Sequence, residues 1–336
     1  MATNGDSRRH AQAVRMLVLC TLFWAVSFPT MKALNLAQQA SIPEGGSWLF
    51  AALCVMLRFF FSALIVLGFC WRSLRRISRG EIQQGVGLGL FGAGGLLFQV
   101  DGLMYTSAST SAFLTQCYAV FIPMWLALVR RRWPPLSVWM ACMLVVWGVT
   151  ILSDFQWSEF RLGRGEGETL MGSLLFTGQI LWLERPIYAG NNPNHFSLVM
   201  FVVMSMVALG VVLGTGHSPS ASMAAFQHPA SWGFLAILVL VCTMGGYMLM
   251  NYWQPLVPAT QAGLIYCLEP VFASLFAMFL PAWFAGWADI EYPNEQLTVT
   301  LLWGGILITA ANIIVQIPLS LKFIFRNGRA TETEPS

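Results

Sequence analysis

Residues 108–121 read ASTSAFLTQCYAVF and residues 259–272 read ATQAGLIYCLEPVF. They align without gaps at a constant offset of 151, setting Tyr118 opposite Glu269 and Ala119 opposite Pro270. A weaker match pairs Leu22-Phe23 with Leu175-Phe176 and Lys32 with Arg185. A chain that repeats itself at half its length is read as two copies of one unit. Chance similarity between apolar segments is the competing account. The acidic, glycine-rich stretch from Ser153 to Glu168 weighs against it, because it falls between the copies and reads as an interdomain linker.

The surrounding composition names the solvent. Of 336 residues 57% are hydrophobic and 10% charged, where a soluble domain carries about 25% charge. So little polar surface does not cover two water-soluble cores, and the surplus apolar surface faces lipid. Runs long enough to cross a hydrocarbon core of about 30 Å lie near 13–33, 48–71, 84–105, 110–129, 136–152, 168–188, 196–214, 232–251, 261–281 and 298–320. The first follows Arg8, Arg9 and Arg15, as a signal peptide would, but is too long for one and lacks a cleavage site after it.

Cations set the orientation. With the N-terminus in the cytoplasm, Arg8, Arg9, Arg15, Arg72, Arg75, Arg76, Arg79, Arg130, Arg131, Arg132, Arg185, Lys322, Arg326 and Arg329 fall inside. Only Lys32, Arg161 and Arg164 fall outside, a split of 14 to 3 that requires an even number of spans and two cytoplasmic termini. Five spans per half is odd, so the second half enters the membrane upside down. The expected fold is therefore all-α: ten transmembrane helices in two inverted-topology repeats, over residues 1–155 and 168–321, with a linker at 156–167 and a cytoplasmic tail at 322–336.

At this point the residues resemble a known family. Phe23-Trp24-Ala25-Val26-Ser27-Phe28-Pro29 with Lys32, Leu57-Arg58-Phe59, Tyr105-Thr106-Ser107-Ala108-Ser109 and Leu268-Glu269-Pro270-Val271-Phe272 are similar to recurring motifs of the EamA-type domain. That domain belongs to the drug/metabolite transporter superfamily, here in its ten-helix, two-domain form. The Gly-Glu that commonly ends the fourth and ninth helices is absent. Arg130-Arg131-Arg132 stands in one half and an extended loop from Trp283 to Glu295 in the other. The resemblance implies an inner-membrane secondary transporter of amino acids or other small metabolites, more often an exporter. It does not carry over the identity of the solute.

Ionisable residues within spans single out the chemistry. Arg58, Asp101 and Glu269 would together cost about 8 to 10 kcal/mol facing lipid, so they face protein or a wet cavity. Glu269 lies roughly 12 Å into its span, beside Pro270 and one turn after Tyr266. A carboxyl deprived of water there could hold a proton and carry it across; the alternative is a helix–helix hydrogen bond. Arg58 and Asp101, of opposite charge in neighbouring spans, are expected to form a structural ion pair, leaving Glu269 first and Asp101 second as proton-coupling candidates. The competing reading makes Arg58 the dock for a solute carboxylate, which its planar fork suits.

Trp24, Gln99, Gln116, Tyr118, Trp182, Tyr266 and Asn312 complete the candidate solute pathway, supplying aromatic faces and amides. Each could equally be an interface anchor or helix glue. The glycines of the third span, Gly85, Gly87, Gly89, Gly92, Gly94 and Gly95, follow no strand and read as close helix packing rather than a nucleotide loop.

The expected partners are a small-molecule solute and membrane lipid, with no nucleic acid, no cofactor and no metal; proton coupling stays open. The seven cysteines lack any C-x-x-C pair, and His217 and His228 sit in an outer loop. A membrane-embedded enzyme would need a nucleophile with its base, and no predicted span holds a histidine. A non-transporting sensor or assembly subunit is the remaining alternative.

Overall fold

The computed structural model describes residues 4–129, 131, 133, 136–152, 162–257, 262 and 265–330, with side chains described for all of these except 4–7, 152, 221 and 315–330. Arg130, Arg132, the linker through residue 161, the stretch 258–261 and the tail beyond 330 lie outside the described residues.

The protein is helical, and its rods overlap the ten predicted spans; the ninth differs most, because its helix runs on to Ala288, so that Trp283 to Ala288, expected in an extended loop, are helical and the loop starts at Asp289. The rods of the first half are α1 (Asn4–Ser41), α2 (Ser47–Cys70), α3 (Arg79–Gly102), the pair α4 (Ala108–Thr115) and α5 (Tyr118–Val129), and α6 (Leu136–Leu152). The second half holds α7 (Arg164–Leu183) and α8 (Pro193–Gly214), then the short α9 (Pro219–Ala224) in the following loop. Its eighth rod is composite: α10 (Pro229–Ile237), a π-helical stretch Leu238–Tyr247, and α11 (Met248–Trp253). The pair α12 (Glu269–Ala277) and α13 (Leu280–Ala288), bent by 52°, and then α14 (Val299–Ala330) close the bundle.

Local chemistry explains the starts. Ser78 and Glu81 form a reciprocal capping box on α3. Ser107 caps α4 through Thr110 N–H, and Asn192 caps α8 with Pro193 at its first position.

Five rods carry long apolar stretches of spanning length, at Arg8–Ser41, Ser47–Cys70, Ala108–Val129, Pro193–Gly214 and Pro229–Leu256, and the bent α12–α13 pair makes a sixth. The less apolar α3 and α7 rods pack on each other along their length, with α3 also against α8. A Cβ on Gly85 would stand 2.7 Å from the Phe196 carbonyl of α8, and one on Gly172 of α7 would stand 2.8 Å from the Gly95 carbonyl of α3. The glycines let three helix backbones approach, as packing rather than nucleotide binding requires.

The contacts reveal the symmetry. Exchanging the halves maps α1 on α7, α2 on α8, α3 on the composite rod, α4–α5 on α12–α13 and α6 on α14. Under that exchange the α2–α8, α6–α14 and α4–α12 contacts map on themselves. The contact of α3 with α7 becomes that of the composite rod with α1, which is also present. With five rods per half, the two units run in opposite senses through the membrane, as an inverted repeat must.

The halves are also broken at the same place. Helix α4 ends at Thr115 and α5 starts at Tyr118, across a turn at Gln116-Cys117; α12 starts at Glu269, after a turn at Cys267-Leu268. These positions are again 151 residues apart.

Candidate functional site

The two broken helices meet at the centre. Gln116, in the turn of the first, donates from Nε2 to Oε2 of Glu269, the first residue after the break in the second, at 2.9 Å. Glu269 is 6% exposed. Beside it a cavity of about 80 Å³, room for several waters, lies between the repeats. Its polar lining includes Arg58, Gln99, Thr115, Gln179 and Glu269. Its aromatic walls include Trp24, Phe28, Tyr118, Phe176, Tyr247 and Tyr266.

The π-helical stretch shapes one wall. Thr243 donates to the carbonyl of Leu238, five residues back, at 2.9 Å, and accepts from Nε of Arg58 at 2.6 Å. A widened turn of this kind recurs at functional sites. Its two glycines receive α1: a Cβ on Gly245 would stand 2.6 Å from the Phe23 ring, and one on Gly246 would stand 2.4 Å from Nε1 of Trp24. Trp24 is thus clamped, with Tyr247 and Tyr266 at 5.6 and 5.5 Å between ring centroids. Its indole N–H is buried without a hydrogen-bond partner among the described residues, a donor left available beside the cavity.

Arg58 corrects the expected ion pair. Its guanidinium bonds Thr243 and reaches the Met31 sulfur at 3.5 Å, lies 5.4 Å from the Phe59 ring centroid, and has no carboxylate within ion-pair distance among the described residues. Asp101 instead pairs with Arg164 at 2.7 Å. Arg164 also bonds Glu168 at 2.8 Å and the Tyr105 hydroxyl at 2.7 Å. Asp101 belongs to the latch between α3 and α7, outside the cavity lining. The pairing failed in sequence because α7, which supplies the true partner, is distant along the chain. A second correction concerns histidine: α8 begins at Pro193, so it holds His195, buried against Glu81 at 3.1 Å.

Of the candidates, Trp24, Arg58, Gln99, Tyr118, Tyr266 and Glu269 line one cavity, and Gln116 binds the carboxyl within it. Trp182 faces a separate groove. Asn312 is buried on α14, away from the cavity lining. Sequence reading missed Thr115, Gln179, Tyr247 and Thr243. Gln179 was open to the same rule that selected Gln99, an amide at span depth. A lone threonine gives no such signal.

An inverted repeat that encloses a polar, aromatic-walled cavity between its halves is an architecture of multi-pass membrane transporters. The profile of the EamA-like transporter family matches residues 12–154 and 170–316, one match per repeat, and the chain belongs to that family. An uncharacterized transporter of Archaeoglobus fulgidus is 25% identical over 304 residues, covering 90% of this chain and 84% of the relative. A solved structure at 15% identity shares the fold, with a TM-score of 0.55 over 91% of this chain and 97% of that one. The family places the protein in the drug/metabolite transporter superfamily, with a small-molecule solute and a lipid surround.

Proposed function

We propose that the protein exports amino acids or similar small metabolites by alternating access, with Arg58 docking the solute carboxylate and Glu269 carrying a proton. The observation that carries this reading is Arg58 itself: a guanidinium 2% exposed, facing a cavity, with no anion beside it among the described residues. A buried cation without a counter-ion is costly, and a solute carboxylate would relieve that cost in the bound state. The Trp24 indole N–H offers a further donor, and the ring walls suit an amphipathic body. Glu269, on the opposite repeat, supplies the group that a solute ammonium or a proton can occupy in turn.

The 14 to 3 charge split supports cytoplasmic termini, and what is usual for the family supports outward flux and the inner membrane. The transport units extend over residues 1–155 and 168–321. Counterflow in proteoliposomes, with a panel of amino acids and their decarboxylated or amidated analogues, tests the reading. Free amino acids should exchange and analogues lacking the carboxylate should not. Equal exchange of both would remove Arg58 from solute docking, and no flux of any solute would favour a sensor or assembly subunit.

A further inference from the structure

A second site lies on the outside of the bundle. Between α3, α5, α6 and α7 runs an open groove of about 970 Å³, and beside it, between α3 and the end of α7, a second of about 760 Å³. Trp182 and Arg185 line both and form the ridge between them, with the guanidinium 4.4 Å over the indole ring. The walls are otherwise mainly apolar: Phe91, 6.4 Å from the Trp182 ring, and Leu174 line the larger groove, and Val86 and Leu90 line the smaller. Arg131, with Trp133 and Trp139, also lines the larger groove. Neither Arg131 nor Arg185 has a carboxylate partner among the described residues.

Dimensions and charge identify the occupant. From Leu174 to Arg185 is eleven residues of chain, or roughly 16 Å at helical rise, close to the thickness of one hydrocarbon leaflet. Indoles near the arginine end suit the headgroup boundary. Two apolar grooves joined at one arginine match two acyl chains joined at one phosphate. The related place in the other half lacks this charge: residues 281–283, at the offset of Arg130 to Arg132, read Pro-Ala-Trp. Lys32, the counterpart of Arg185, is engaged with the Thr106 carbonyl at 2.5 Å.

We propose that the paired grooves bind one anionic diacyl phospholipid, its phosphate at Arg185 and Arg131 and its chains on either side of Trp182. The site takes lipid from the leaflet on the arginine-rich side only, and basic pockets between spans are suited to such headgroups.

The test titrates the full-length protein, in neutral detergent, with dioleoyl phosphatidylglycerol or dioleoyl phosphatidylcholine. The readouts are the thermal midpoint and the lipid retained in native mass spectrometry. The anionic lipid should raise the midpoint and remain bound one per chain. Arg185→Gln should weaken its half-saturation about five-fold, as expected for one cation at a membrane surface. Arg131→Asn should do the same and keeps the test alive if the first variant fails to fold, because φ at this position is 49° and asparagine tolerates that region. Arg75→Gln with Arg76→Gln, on the loop after α2, should leave the half-saturation unchanged. Equal binding of the two lipids would overturn the proposal. So would an equal effect of the Arg75/Arg76 pair, or displacement of the lipid by a transported solute.

Discussion

The Gln116 amide donates to the Glu269 carboxyl at 2.9 Å, and each residue sits at the break of its own span, at related places in the two repeats. One hydrogen bond therefore ties the two halves at the point where both backbones are interrupted.

Glu269→Gln tests the role of that carboxyl. The amide keeps the volume and an oxygen that can accept from Gln116, so the thermal midpoint should change by no more than a few degrees. It cannot titrate, so counterflow should lose its dependence on pH. Loss of folded protein would make Glu269 a structural residue, and an unchanged pH profile would remove it from coupling.

Arg58→Met should weaken solute binding and leave the fold intact. Replacing a buried charge by an apolar chain of similar length is often neutral or stabilising, whereas losing charged hydrogen bonds to a carboxylate costs about 1.5 to 3 kcal/mol each. The half-saturation for counterflow should rise roughly ten- to a hundred-fold. A drop in thermal midpoint with unchanged half-saturation would mark Arg58 as a scaffold group bonded to Thr243 alone.

Gly172→Val should damage the bundle rather than the chemistry. A Cβ there meets the Gly95 carbonyl at 2.8 Å, and backbone cannot turn aside as a side chain can. Overpacking of this kind costs about 1 to 3 kcal/mol, visible as a lower thermal midpoint and less folded protein in the membrane.

The Glu81 cluster should make stability depend on pH in acid. Burial raises the Glu81 carboxyl, but hydrogen bonds from the Ser78 and Asn192 backbone and from His195 outweigh it, leaving it below its ordinary 4.5. A carboxyl lowered on folding contributes stability that is complete above about pH 4.5 and is lost as pH falls through the lower folded value. Glu81→Gln should flatten the thermal midpoint over that window. An unchanged slope would show that the cluster does not couple to folding.

The sequence by itself determined the membrane, the rods and the repeat. Lipid forces each crossing to be a helix of fixed length, so apolar runs alone mark the spans, and an offset of 151 residues carries over to the matching breaks before Tyr118 and Glu269. Glu269 was legible because a carboxyl at span depth has few cheap reasons to be there. Which polar groups meet was decided only by tertiary structure. Asp101 and Arg58 are neighbours in span order, yet Asp101 is taken by Arg164 at the start of α7 and Arg58 by Thr243 of the π-helical turn. Periodicity along one helix says which residues share its face, but the partner of that face comes from a different part of the chain. In an interleaved inverted repeat the partner is contributed by the other half, and side-chain packing selects it.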